Sequence, residues 1–168
     1  MTFSEILNQY QPQLIARIGE HFWLVGVAML IAASIAIPTG ILLTRRPNMQ
    51  RWVLGFTNTV QTIPSLALFG FLIPMPFIGG IGPRSAIVAL VLYALLPMVR
   101  NTYTGIKQVD PAVREAALAM GMTDRQILRM VELPLAAPTI MAGLRVATVT
   151  AVGVATVATL IGAGGLGD

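Results

Sequence analysis

The stretch HFWLVGVAMLIAASIAIPTGILLT, residues 21–44, contains no Asp, Glu, Lys or Arg. Two further windows, 52–83 and 146–167, are equally free of charge. Each is longer than the roughly 20 residues that cross a hydrocarbon core of about 30 Å as a helix. A soluble core of this size would spread its charges along the chain, whereas here they are excluded from three long blocks. The reading is therefore an all-α, polytopic transmembrane helix bundle.

Composition agrees with the windows. The chain has 168 residues, 55% hydrophobic and 11% charged, against about 25% charged in an average soluble domain, and its mean hydropathy is +0.77. With no cysteine, disulfides, thiolate metal sites and cysteine nucleophiles are excluded. The first 20 residues mix Glu5, Gln9, Gln11, Gln13, Arg17 and Glu20, unlike the basic start of a cleaved signal peptide.

Four spans are expected, at about 22–43, 52–73, 85–99 and 135–161. Arg45 and Arg46 stop the first, and Pro47 and Asn48 turn the chain. Pro64 is expected to kink the second, which ends in the loop rich in Pro and Gly at 74–83. Arg84 and Arg100 flank the short third span and can snorkel to its two interfaces. Of the eleven Lys and Arg residues, Arg45, Arg46, Arg51, Arg100, Lys107, Arg114, Arg125, Arg129 and Arg145 lie on one side and only Arg17 and Arg84 on the other. That asymmetry puts the amino terminus outside and the loop at about 107–134 in the cytoplasm.

This loop is the most defined polar segment. Asp110 followed by Pro111 is a helix start, an N-cap with proline at the first helical position. Val113, Ala116, Ala117 and Met120 form one apolar stripe, with Arg114 and Glu115 opposite. Gly121 suits a left-handed helix end. Thr123 and Gln126 have capping-box spacing for a second short helix, whose apolar residues Ile127, Leu128 and Val131 run towards Leu133 and Pro134. A helical hairpin next to a membrane suits docking of a motor protein, binding of DNA, or lying on the bilayer surface. A second helix with only Arg125 and Arg129, tethered this close to a span, argues against reaching a major groove, so no nucleic-acid partner is expected.

The run EAALAMGMTDRQILRMVELP, residues 115–134, resembles the loop shared by permeases of bacterial ATP-binding-cassette importers, with Glu115, Ala116, Ala117, Gly121, Leu133 and Pro134 at the matching positions and Val131 where Ile is common. QTIPSLALFGFLIP (61–74), ALLPMVRNTYTGIKQVDP (94–111) and IGAGGLGD (161–168) are similar to the osmoprotectant branch, which imports glycine betaine, choline or carnitine. Methionine-importer permeases share the loop and a like ending, so methionine or another small solute is the alternative. The resemblance implies a single permease domain of the type I importer fold in the bacterial inner membrane, with further helices after residue 168.

What the resemblance implies mechanistically is a hairpin seated in a separate ATPase subunit, with Met122 and Thr123 beside the Gly121 turn. ATP and Mg would be held by that partner, and no cofactor by this chain, which lacks a Gly-x-x-x-x-Gly-Lys-Ser/Thr phosphate loop. The other implied partners are a second permease copy, identical or paralogous, an extracytoplasmic binding protein or fused binding domain, and the surrounding lipid. Glu115 would pair with a basic group on the motor, or simply favour the start of its helix through the dipole.

Within the membrane, Asn58, Gln61, Thr62 and Ser65, with Thr148, Thr150, Thr156 and Thr159, are the candidates for a polar path. Gln61 leads, because a lipid-facing amide would lose several kcal/mol to unsatisfied groups. The threonines equally suit bonds within or between helices. No aromatic cage or buried acidic group of the kind that holds a quaternary ammonium tightly is evident, which places high-affinity capture on a binding protein. The lone histidine, His21, lies at the outer edge of the first span with no nucleophile nearby in sequence, so a non-catalytic subunit is expected. An ATP-independent secondary transporter would be expected to carry an ionisable residue deep in a span, and none is found at mid-depth.

Overall fold

The computed structural model describes the backbone of residues 3–167 and side-chain surroundings from residue 10. Glu5, Gln9 and Asp168, used above, lie outside the described side chains. All regular elements among the described residues are helical: α1 (Phe3–Arg45), α2 (Pro47–Thr62), α3 (Ser65–Leu72), α4 (Pro83–Lys107), α5 (Pro111–Ala119), α6 (Asp124–Ile127), a π turn (Leu128–Glu132), α7 (Leu133–Val157) and a closing 3₁₀ turn (Ala158–Ile161).

Three helical runs are long and apolar enough to cross a membrane by length and composition: Tyr10–Arg45, Pro83–Lys107 and Asp124–Ile161. Where a single span was expected at 52–73, α2 and α3 meet at a break instead of a kink. Ile63 and Pro64 are extended there, with ψ of 126° and 140°. Proline disfavours helical backbone in the residue before it, and that residue ends the helix. The other helices extend beyond the expected spans. The first helix starts well before residue 22 and runs through Pro12 and Gly19, with Glu, Gln, Leu, Ala and Arg among its polar opening stretch favouring helix. The third runs on to Lys107, and Pro47 opens α2 directly after Arg46.

The bundle is organised around α4. In its most apolar window 67% of residues are buried, against 33% in α1 and 22% in α7. Close approach is set by small residues at four-residue spacing: Ala28, Ala32 and Ala36 on α1, and Ala147, Ala151 and Ala155 on α7, all buried. Without water to drive apolar burial, such small surfaces let helices gain packing contact. Gly143 shows how tight the fit is, since a Cβ there would sit 2.6 Å from Asn101 Cβ and 2.8 Å from the Pro97 carbonyl oxygen. At one end of the bundle the Gly-rich stretch after Ile161 folds back on α1, where the Gly165 N–H donates to Glu20 Oε2 at 3.1 Å. The other end carries Arg45, Lys107 and the α5–α6 hairpin.

Proline residues inside the helices explain the main polar contact between α2 and α4. Pro97 has no N–H to give the Tyr93 carbonyl one turn earlier. Gln61 Nε2 donates to that carbonyl at 2.9 Å. In return the Tyr93 hydroxyl donates to the carbonyl of Ile63, which the break at Pro64 leaves outside any helical ladder. Two carbonyls orphaned by proline are thus each satisfied by a side chain of the opposite helix.

Candidate functional site

The hairpin forms as its local chemistry dictates. Asp110 Oδ1 accepts from the Ala112 N–H at 2.9 Å, and Pro111 is the first residue of α5. Gly121 has φ +81°, the left-handed value that favours glycine. Its N–H donates to the Leu118 carbonyl at 2.9 Å and that of Met122 to the Ala117 carbonyl at 3.1 Å, the paired bonds of a Schellman ending. The Thr123 N–H and hydroxyl both donate to Gln126 Oε1, at 2.8 and 2.9 Å. The turn between the helices is therefore held without any partner.

Of the expected coupling residues, Glu115, Ala116, Gly121 and Thr123 are exposed, Met122 is half-buried and Ala117 is buried. Val113 and Met120, also expected on the apolar stripe, are exposed, Met120 at 75%. Three of the four stripe residues, Val113, Ala116 and Met120, thus lie open on a self-capped hairpin. Leu133 and Pro134 fall elsewhere. The second helix does not end near them; α6 passes through the π turn into α7 as one continuous run. The Leu133 N–H reaches the Leu128 carbonyl five residues back, which widens the helix by one residue just before Pro134. A proline ring would clash with the carbonyl four residues earlier in a regular helix, and the wider turn accommodates it.

Arg114, expected opposite the apolar stripe, faces the root of the hairpin. Its Nε lies 3.3 Å from Glu132 Oε1 and its terminal nitrogen 3.3 Å from Asp124 Oδ1. The Nε contact is an ion pair without hydrogen-bond alignment. Arg45, in the last turn of α1, donates to Glu132 Oε2 at 2.5 Å. Glu132 is buried, its side chain 4% exposed. Nothing in the sequence marked this carboxylate, because its inward direction depends on the π turn.

The candidate path residues divide. Asn58 and Thr62 are exposed on α2 and Ser65 is half-buried at the start of α3, while Gln61 is committed to α4. Each threonine hydroxyl bonds back to its own helix: Thr62 to Thr59, Thr148 to Leu144, Thr150 to Val146, Thr156 to Val152 and Thr159 to Thr156, all at 2.7–3.1 Å. Among the described residues no hydrogen bond joins the α2 group to the α7 group. His21 is buried next to the Gly-rich stretch, where its Nδ1 accepts weakly from the Leu166 N–H at 3.4 Å.

These features define a membrane-embedded helical subunit with an exposed, self-capped hairpin at one end. Residues 36–168 match the family described as binding-protein-dependent transport system inner membrane component, and the chain belongs to that family. It is a permease of an ATP-binding-cassette transporter, of a family whose members work with an ATPase and a substrate-binding protein. Among curated relatives, the choline transport system permease protein OpuBD of Bacillus subtilis is 48% identical over 100% of this chain and 75% of its own length. The carnitine transport permease protein OpuCD of Listeria monocytogenes is 43% identical over 99% of this chain and 75% of its own. Among solved structures, the inward-facing MetNI methionine transporter superposes with TM-score 0.83 at 28% identity, covering 99% of this chain and 80% of that one. An amino acid transporter solved with histidines shares the fold, with TM-score 0.74 at 20% identity.

Proposed function

We infer that this chain forms the translocation pathway of an importer for osmoprotectants such as glycine betaine, choline or carnitine, powered by a separate ATPase that binds the ATP and Mg. The observation that carries the coupling half of this reading is the exposed, self-capped hairpin at 111–127. Identities of 43–49% to permeases named for choline, carnitine and glycine betaine support the substrate half. In the working arrangement four membrane crossings begin outside the cell, the second of them broken at Pro64, and the loop at 107–134 is cytoplasmic. A second permease copy, identical or paralogous, completes the pathway, and a binding protein or fused domain delivers the solute.

Glu115, Ala116, Ala117, Gly121, Met122 and Thr123 would contact the ATPase, small residues allowing close approach. Asn58, Thr62 and Ser65 on one element and Thr148 and Thr156 on another remain the proposed lining of the path, with Gln61 holding the break between α2 and α3 against α4. Methionine is the second reading, favoured by the close superposition on MetNI. The deciding experiment is ATP-dependent uptake of labelled betaine, choline, carnitine and methionine by the assembled transporter. Uptake of methionine alone would overturn the substrate assignment, and uptake that persists without an ATPase would overturn the coupling.

A further inference from the structure

The strongest unexplained feature is a carboxylate withdrawn from water at the root of the hairpin. Burying a charge is unfavourable unless it is paired and hydrogen-bonded, so the position of Glu132 demands partners, and it has two on separate elements. Arg45 reaches it from the end of α1, 87 residues earlier in the chain, at 2.5 Å, and Arg114 approaches from α5 at 3.3 Å. Asp124 then sits 3.3 Å from Arg114 on the far side. The four side chains alternate in sign along a line from α1 to the first residue of α6, two cations against two anions.

The π turn is what makes this possible. The inward positions run Ile127, Glu132, Ala136, all buried, with a step of five and then of four. In an uninterrupted α-helix the step from Ile127 would land on Val131, leaving Glu132 turned about 100° away. Single π turns recur at functional positions in helices. Apart from this charge line, α5 packs on α6 and the π turn and not broadly on α1. Beside it lies a cleft of about 250 Å³ lined by Arg45, Lys107, Arg114 and Glu132 among others, which leaves the arginine arms room to shift.

We propose that Glu132 is the joint through which displacement of the hairpin reaches α1, with Arg114 and Arg45 as its two arms. Glu132 acts here as a positioning residue; it touches neither solute nor ATPase. The proposal rests on the reading that the hairpin docks an ATPase. A push on α5 is carried to the cytoplasmic end of α1 by the paired charges, while the continuous 124–161 helix carries it to α7. Loss of the joint leaves the motor bound and turning over but disconnects α1 from it.

The test uses the whole transporter in proteoliposomes and measures solute imported per ATP hydrolysed, with copurification of the ATPase as the control for assembly. Glu132→Gln is expected to bind the ATPase as the parent does and to import at least tenfold less solute per ATP. Arg45→Gln should do the same, Arg45→Lys should recover part of the ratio, and the double variant R45Q/E132Q should be no worse than either single change, because one interaction is being removed. A parental ratio in E132Q, or effects of R45Q and E132Q that multiply, would overturn the proposal. So would loss of ATPase binding together with import, which marks a role in folding. If E132Q does not insert, the Arg45 pair decides: equal ratios for Gln and Lys overturn the joint. A parent chain that binds no ATPase sinks the docking reading and the joint with it, whereas a parent that binds one beside an unchanged E132Q sinks the joint alone.

Discussion

Replacing Gln61 with leucine separates a structural amide from a pathway amide. Gln61 Nε2 satisfies the Tyr93 carbonyl, and Pro97, which lacks an N–H, cannot. Leucine leaves that carbonyl unpaired in a low-dielectric interior, at a cost of about 1–3 kcal/mol. On a chain of this size such a loss lowers the melting temperature by roughly 2–12 °C. The informative comparison is the same change in a Pro97→Ala background. Alanine restores an N–H at position 97, the Tyr93 carbonyl regains its helical partner, and Q61L should then cost less than about 0.5 kcal/mol through this bond. Thermal unfolding of the purified protein in detergent, for the parent, both single variants and the double, measures the coupling directly. Equal costs of Q61L in the two backgrounds would refute the reasoning, and loss of transport in both with stability intact would return Gln61 to the path.

Three further outcomes follow from the geometry. At Gly121, φ +81° with open space around the Cβ position makes backbone strain the main penalty, so Gly121→Leu should lose import while membrane insertion persists, and Gly121→Asn, which tolerates left-handed backbone, should retain most of it; uptake against protein in the membrane fraction reads both. Gly143→Leu should destabilise the bundle by about 1–3 kcal/mol through overpacking against Asn101 and Pro97, whereas Gly153→Leu, with nothing within 4 Å of its Cβ position, should stay within about 0.5 kcal/mol, both checked by thermal unfolding in detergent. Because the chain has no cysteine, single replacements report topology cleanly: Arg84→Cys should label with an impermeant thiol reagent added outside intact cells and Arg125→Cys should not, and the reverse pattern would invert the orientation.

The hairpin was legible residue by residue. Asp110, Pro111, Gly121, Thr123 and Gln126 act on neighbours within a few positions, and local bonds of that kind depend only on nearby sequence. Helix existence followed from the charge-free windows for the same reason. Helix ends were not legible from those windows, because a helix can continue past the apolar stretch that it contains. Residues 3–21 and 100–107 carry polar side chains and are still helical, because the backbone ladder tolerates water. At Pro64 the residue type announced a disturbance, but only the packing against α4 decided that it would be a break, since Tyr93 and Gln61 supply the bonds that make an interrupted helix tolerable.

The amino-acid sequence by itself determined that the chain lies in a membrane, that its polar loop folds as a capped hairpin, and which family that loop resembles, because hydrophobicity, capping and motif spacing are properties of residues close together in the chain. Tertiary structure alone decided that α4 is the buried helix, that Gln61 serves a proline-orphaned carbonyl, and that Glu132 joins Arg45 to Arg114. Those outcomes depend on partners 32 and 87 residues away and on a one-residue change of helical register, and direction in space accumulates along a helix in a way that no short stretch of sequence records.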